Sequence, residues 1–389
     1  MKIIIFTHPN FIESQSMPRY AQMLFDGMKL RGHEVEIWSP HPFFYLLPFR
    51  SFKKWLGYID QFIIFPFIVK LKLTFESRET LYVFADQALG PWVPLVSKRP
   101  HVIHCHDFLA LESAMDLVPE NPIRFSGKVY QKIIQKGFSN GKNFISVSFK
   151  TQKDLHKFHL GEILSSQVCY NGLNRFFEQL DQKQSRERLG VFLNIDLADG
   201  YIMHIGGNQY YKNRVGVIEI YEQFRLTNYL SIPLFMIGSY PNEKLLNKYN
   251  NSIFKEDIHF LFNFGDEFIN SAYSGATCLL FPSLDEGFGW PIAEAMRSGC
   301  LVITTDTAPM SEVNGDANFF RIPRKSSLYH DIEWAEICAK NILRVINLTV
   351  KEKDQLVKIG IESSKRFDTQ KSLDKIELIY KEIISSSIK

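Results

Sequence analysis

No uncharged apolar run in this 389-residue chain approaches the roughly 20 residues that cross a bilayer. The start, M-K-I-I-I-F-T-H-P, holds a single four-residue apolar stretch, too short for a secretory leader. There is no C-x-x-C pair. The five cysteines, Cys105, Cys169, Cys278, Cys300 and Cys338, are scattered, which excludes a disulfide framework and a zinc ribbon. They read as small buried hydrophobes in a reducing compartment, and the expected location is cytoplasmic. Charge of one sign is also lacking: the formal net charge of +3 is too mild for a nucleic-acid surface. No D-x-D motif occurs, and His104 and His106, although they share a face of one strand with Asp107 adjacent, have no further metal-type cluster nearby. Solenoid repeats and low-complexity segments are absent as well.

What is present is a strand–helix rhythm. Ile3–Phe6 is a short buried strand, about Arg19–Arg31 a helix stopped by Gly32, and His33–Trp38 an alternating strand. Further strands fit Thr80–Phe84, Val102–His106 and Asn143–Val147, with helices at Gly127–Gly137 and Thr151–His159. Residues 175–198 turn polar and charged, as a linker or exposed helix would. The rhythm then restarts with strands at Tyr201–Ile205, Leu234–Ile237, Ile258–Phe262, Cys278–Phe281 and Leu301–Thr304. Short, continuous apolar strands are those covered by helices on both faces. The reading is α/β, with two doubly wound domains in tandem.

The region Phe43–Leu73 is unusual. Aromatics interleave with Arg50, Lys53, Lys54, Lys70 and Lys72, Asp60 is its only acid, and Pro48 and Pro66 interrupt it. Two readings stay open here: a core helix pair with lysines at its rim, or an apolar and basic face for a membrane surface.

The most informative stretch is F-P-S-L-D-E-G-F-G-W-P-I-A-E-A-M from Phe281. A strand ends at Phe281, a loop follows, and a helix starts around Pro291, where a missing N–H costs nothing. In open parallel sheets, ligands bind outside the carboxyl ends of strands. Glu286 therefore lies on a ligand-facing loop, and Glu294 lies near the start of the next helix. Gly287 and Gly289 allow close backbone approach, and the N–H groups of such a loop favour a phosphate. An acid beside a phosphate should face a hydroxyl.

The segment A-Y-S-G-A-T-C-L-L-F-P-S-L-D-E-G-F-G-W-P-I-A-E-A-M-R-S-G, followed by S-E-V-N-G-D-A, resembles the donor-binding core of glycosyltransferase family 4. The E-x7-E spacing of Glu286 and Glu294 is that family's signature. His104-Cys-His-Asp107, Ser146-Val-Ser-Phe-Lys-Thr, Val168-Cys-Tyr-Asn-Gly-Leu-Asn and His204-Ile-Gly-Gly-Asn-Gln-Tyr-Tyr-Lys-Asn resemble further family segments in order. The resemblance covers about residues 100 to 320.

It implies the GT-B fold: two Rossmann-like domains facing across a cleft, 1–180 for the acceptor and 181–366 for the nucleotide-sugar, with 367–389 packing back on the first. It also implies a retaining hexosyltransferase using a GDP or UDP sugar, without metal or other cofactor, that acts on a glycan hydroxyl; the membrane reading of the Phe43–Leu73 stretch suggests a lipid-linked acceptor, as in surface polysaccharide assembly. Contact with the inner face of a membrane would run through 43–73. Glu294 would hold the ribose. Glu286 and the Gly287-Phe288-Gly289 backbone would hold the transferred sugar. Lys212 would neutralise the diphosphate, and His106 would sit near the donor sugar. Two departures stand out. Gly206 is followed by Gly207 where the family has Arg, leaving Arg214 as a candidate replacement charge. Ser14-Gln-Ser-Met-Pro-Arg19 stands in place of a Gly-Gly pair, with Arg19 as a candidate anion contact on the acceptor side. The competing readings are a sugar-nucleotide 2-epimerase of the same architecture and a non-catalytic partner subunit.

Overall fold

The computed structural model describes residues 1–11, 16–173, 177–228, 230–326 and 330–387. The chain divides into two compact units, Met1–Asn174 with Thr369–Lys389, and Arg175–Asp368. The sequence reading placed these divisions at 180 and 366.

The first unit holds a six-stranded sheet of β1 (Lys2–Phe6), β2 (Glu34–Trp38), β3 (Leu81–Phe84), β4 (His101–Cys105), β5 (Asn143–Ser146) and β6 (Ser165–Val168). Its order is β2-β1-β3-β4-β5-β6 and every pair is parallel. Successive side chains of a strand point to opposite faces, and the apolar runs divide accordingly. Ile4, Phe6, Tyr82 and Phe84 enter one core, and Ile3, Ile5, Leu81 and Val83 the other. That second core is closed by the helix Ser16–Leu30 and by the helix Thr369–Ser387, which brings Leu373, Ile376, Ile379, Tyr380 and Ile383 to it. Burying these five side chains is worth roughly 10 kcal/mol gross at about 2 kcal/mol each. On the opposite face, the helix Phe125–Phe138 comes so close to the turn Gln87–Leu95 that a Cβ on Gly137 would lie 2.3 Å from the Gly90 carbonyl.

The Phe43–Leu73 region is buried along one side and exposed along another. Helical segments run Lys53–Ile59, Asp60–Ile64 and Phe65–Leu73. Gly57, Asp60, Gln61, Phe65, Val69 and Leu73 face inward. Trp55, Ile63, Phe67 and Leu71 stand exposed on the other side. No helix among the described residues is long and apolar enough to cross a membrane.

The second unit repeats the plan with β7 (Ile202–Gly206), β8 (Leu234–Gly238), β9 (Ile258–Leu261), β10 (Cys278–Phe281), β11 (Val302–Thr305) and β12 (Phe320–Ile322). The order is β12-β11-β10-β7-β8-β9, again all parallel. The polar stretch after 175 is largely the helix Gln182–Leu193. All five cysteines are buried free thiols.

Candidate functional site

In each sheet the strand order reverses once. In the second sheet, β8 and β9 lie on one side of β7 while β10, β11 and β12 lie on the other. The crevice outside the carboxyl ends of two strands that diverge in this way is where open parallel sheets bind ligands. Lys212 follows β7 and Glu286 follows β10, so the reversal point brings them together. Lys212 Nζ donates to Glu286 Oε1 at 2.7 Å and to Oε2 at 2.9 Å. Ser283 Oγ donates to Oε1 at 2.9 Å. Both side chains are largely buried, at 14% and 7% exposure. The ammonium also sits 5.2 Å from the Phe281 ring centroid and 5.4 Å from that of Tyr211.

The loop holding Glu286 is stitched to its neighbours through its backbone. Asn213 Nδ2 donates to Pro282 O at 3.1 Å, and Leu284 N–H to Tyr211 O at 2.7 Å. Thr305 Oγ1 donates to Ser283 O at 2.7 Å, and Arg324 Nε to Leu284 O at 3.0 Å. Gly289 closes the loop at φ +98°, a conformation that costs little only for glycine, and the helix Trp290–Arg297 begins at once. Phe288 is buried between the Trp290 and Phe367 rings, with centroids at 5.6 and 5.3 Å. Gly287 and Gly289 therefore flank an anchored aromatic. Glu294 lies one turn into the helix and accepts from Tyr273 Oη at 2.8 Å.

Gly207 lies in the loop after β7, ahead of Lys212. Arg214 opens the helix Arg214–Thr227, behind the cap made by Asn213. Its side chain is turned inward and is 5% exposed. Nη1 donates to Asn208 Oδ1 at 2.7 Å and to Ser239 O at 2.9 Å, which ties the loop after β7 to the loop after β8. Burial lowers its pKa to about 10, so it stays charged at neutral pH. Nε and Nη2 have no hydrogen-bond partner among the described residues. His204, fully buried on β7, gives Nδ1 to Leu280 O at 3.0 Å, and burial holds its pKa down at about 3.

The reversal point of the first sheet lies between β1 and β3. His8, after β1, donates Nε2–H to Asp86 Oδ2, after β3, at 2.8 Å. Burial, the largest single influence, would raise the Asp86 pKa, but the bond and charge of His8, the His106 ring and the Ala88 N–H together outweigh it, and the carboxyl is held below its usual range. His106, just past β4, places Nε2 2.8 Å from Ala85 O, and only an N–H can face a carbonyl at that distance. Burial lowers the His106 pKa, partly offset by the Asp86 carboxylate, so the ring is neutral and Nδ1 is its acceptor atom. His104 is engaged on both nitrogens, by Tyr20 Oη at 2.8 Å and Tyr380 Oη at 2.7 Å, and burial takes its pKa down to about 3. Arg19 is exposed on the helix Ser16–Leu30. Ser14 and Gln15 lie outside the described residues.

Residues 185–349 match the family Glycosyl transferases group 1. This segment is a group 1 glycosyltransferase domain. It contains Gly207, Lys212, Arg214, Glu286 to Gly289 and Glu294. O-antigen chain mannosyltransferase B of Escherichia coli is 30% identical over 140 residues, which is 35% of this chain and 37% of that protein. The chain thus matches well under half the length of that relative. Sucrose-phosphate synthase from Thermosynechococcus elongatus superposes with a TM-score of 0.72 at 13% identity, covering 99% of this chain and 100% of that one. Anabaena HepE in complex with UDP and glucose gives 0.70 at 16% identity over 97% and 98%. These likenesses show the GT-B fold. Sequence reasoning overlooked Ser283, Tyr273 and Asp86. Tyr273 stands inside the glycosyltransferase segment A-Y-S-G, where a tyrosine in an apolar helix reads as core.

Proposed function

We propose that the protein is a retaining hexosyltransferase that moves a hexose from a nucleotide-sugar to a hydroxyl of a glycan or lipid-linked acceptor in surface polysaccharide assembly. The Lys212–Glu286 pair at the reversal point of the second sheet, inside the matched segment, carries this reading. Lys212 is the charge that meets the diphosphate, and Glu286 takes hydroxyls of the transferred sugar beside the Gly287–Gly289 backbone. Glu294, oriented by Tyr273, takes the ribose. A cation and preorganised N–H donors stabilise a departing diphosphate in place of a metal ion. Arg214 enters as the brace of the Lys212 loop, because its Nη1 is committed to Asn208 and Ser239. His106 supplies a neutral acceptor, Nδ1, on the acceptor unit. Attack on the face from which the diphosphate leaves retains configuration, with a phosphate oxygen taking the acceptor proton. Similarity to an O-antigen mannosyltransferase favours mannose as the sugar, and a lipid-linked acceptor places the chain at the inner face of a membrane.

A thermal-shift panel of UDP, GDP, ADP and their sugars tests this. At about a hundredfold excess over Kd, the preferred nucleotide adds about 2.7 kcal/mol, or roughly 5–10 °C for a unit of this size. Glu294→Ala should abolish the shift. No shift with any nucleotide would end the reading. Turnover of any nucleotide-sugar excludes a silent subunit, and the comparisons lend the epimerase no support.

A further inference from the structure

We propose that the face formed by residues 43–75 is a docking surface for an anionic lipid bilayer. It requires neither a donor nor turnover, so its failure and that of the glycosyltransferase reading are distinguishable. Phe49, Phe52, Trp55, Ile63, Phe67 and Phe75 are between 57% and 90% exposed. Isolated apolar side chains on a surface are ordinary, but a cluster along one stretch of chain marks an interaction site. The helical part is apolar on opposite sides. Phe65, Val69 and Leu73 are buried, and Ile63, Phe67 and Leu71, spaced four apart, are exposed. A helix that only met water would carry a polar outer stripe.

Charge selects the partner. Arg50, Lys53, Lys54, Lys70 and Lys72 punctuate the stretch, and its single acid never reaches the surface. Asp60 is 1% exposed and accepts the backbone N–H groups of Phe43, Phe44 and Tyr45 at 3.1, 2.9 and 2.9 Å. One buried carboxylate thereby folds the aromatic turn back onto the helix and leaves five cations without an exposed acid between them. A second copy of the chain would present the same five cations, and like charges oppose that pairing. Lys54 Nζ lies 5.8 Å from the Tyr58 ring centroid and Lys72 Nζ 4.8 Å from that of Trp38, so each of these ammonium groups sits beside an aromatic ring. Rings at the headgroup level with cations beside anionic phosphates is the chemistry of a helix lying on a membrane.

The experiment is co-sedimentation of the full chain with phosphatidylglycerol-containing vesicles and with pure phosphatidylcholine vesicles, at low and high salt. Quenching by brominated lipid is read alongside. Trp55 is 66% exposed, whereas Trp38, Trp92 and Trp334 are buried and Trp290 is partly buried, so quenching reports on this face. Binding should require phosphatidylglycerol, weaken with salt and quench Trp55. At about a fivefold loss of affinity per cation removed, Arg50→Glu/Lys54→Glu/Lys70→Glu should weaken it at least about a hundredfold. Phe67→Ser should weaken it without changing net charge. No pelleting, equal binding to phosphatidylcholine, or an unaffected triple variant would overturn the proposal. So would a dimer in sedimentation velocity that the same triple variant dissociates.

Discussion

Replacing Glu286 by Gln keeps the side chain's shape and removes its charge. The carboxylate accepts two bonds from Lys212 and one from Ser283, and the amide retains an oxygen for one of these donors. Removing one member of a fully buried pair costs about 3–5 kcal/mol, and an exposed pair is worth under about 1 kcal/mol. With side chains 14% and 7% exposed, this pair falls between, and the variant should lose about 2 kcal/mol of stability. Ligand binding should move the other way. Lys212 no longer neutralises a carboxylate, and about 1–2 kcal/mol of attraction becomes free for a diphosphate, which is about 5–30-fold in Kd. Transfer should fall on the order of a hundredfold, because a charged contact to the reacting sugar is gone. Calorimetric titration with the nucleoside diphosphate preferred in the thermal-shift panel, paired with steady-state transfer rates, reads both effects. Nucleotide affinity that drops in step with transfer would refute the reasoning, since Glu286 would then serve only to hold Lys212 in place.

Three further outcomes are expected. Tyr273→Phe preserves a fully buried ring and deletes the hydroxyl that orients Glu294, so nucleotide Kd should rise roughly fivefold, about 1 kcal/mol, with kcat at saturating donor unchanged; a matching loss of kcat would contradict a ribose role. Burial holds the His204 pKa at about 3, against about 6.5 when unfolded, so between those values only the unfolded chain carries the proton. Stability from this group is complete above pH 6.5 and is lost as pH falls toward 3, about 2 kcal/mol of it by pH 5. Urea titrations at pH 7 and pH 5 should show a smaller acid loss in His204→Gln by that amount, and equal losses would refute it. Gly137→Ala would drive a methyl to 2.3 Å from the Gly90 backbone, which cannot yield, and should destabilise the first unit by about 3 kcal/mol in denaturant; an unchanged midpoint would show that the helix shifts freely.

Much of the fold is legible in the sequence because most strands are continuous apolar runs covered on both faces. Ile3–Phe6 and Cys278–Phe281 are of this kind. The strand S-S-Q-V at 165–168 escapes notice: it is the outermost strand beyond β5, mostly part-exposed, and needs no apolar pattern. Glu286 and Glu294 are visible from their spacing. The pairing of Glu286 with Lys212 is not, since 74 residues separate them and only the adjacency of β10 and β7 joins them. The direction of Arg214 is equally hidden, because it depends on where the loop after β8 places the Ser239 carbonyl. In the 43–73 stretch, apolar residues on both faces blur the period that would separate core from surface.

The first unit is written in two pieces, and its second core stays open until the helix Thr369–Ser387 arrives with Tyr380 for His104. A ribosome adding about 5–20 residues per second takes on the order of 10–40 s to travel from the end of the first piece to the second. During that interval, Arg175–Asp368 is being made, while Ile3, Ile5 and Leu24 wait beside an uncovered face. The part of the chain made first thus becomes the part finished last, and its window of exposure to chaperones and proteases is set by the length of the unit inserted within it.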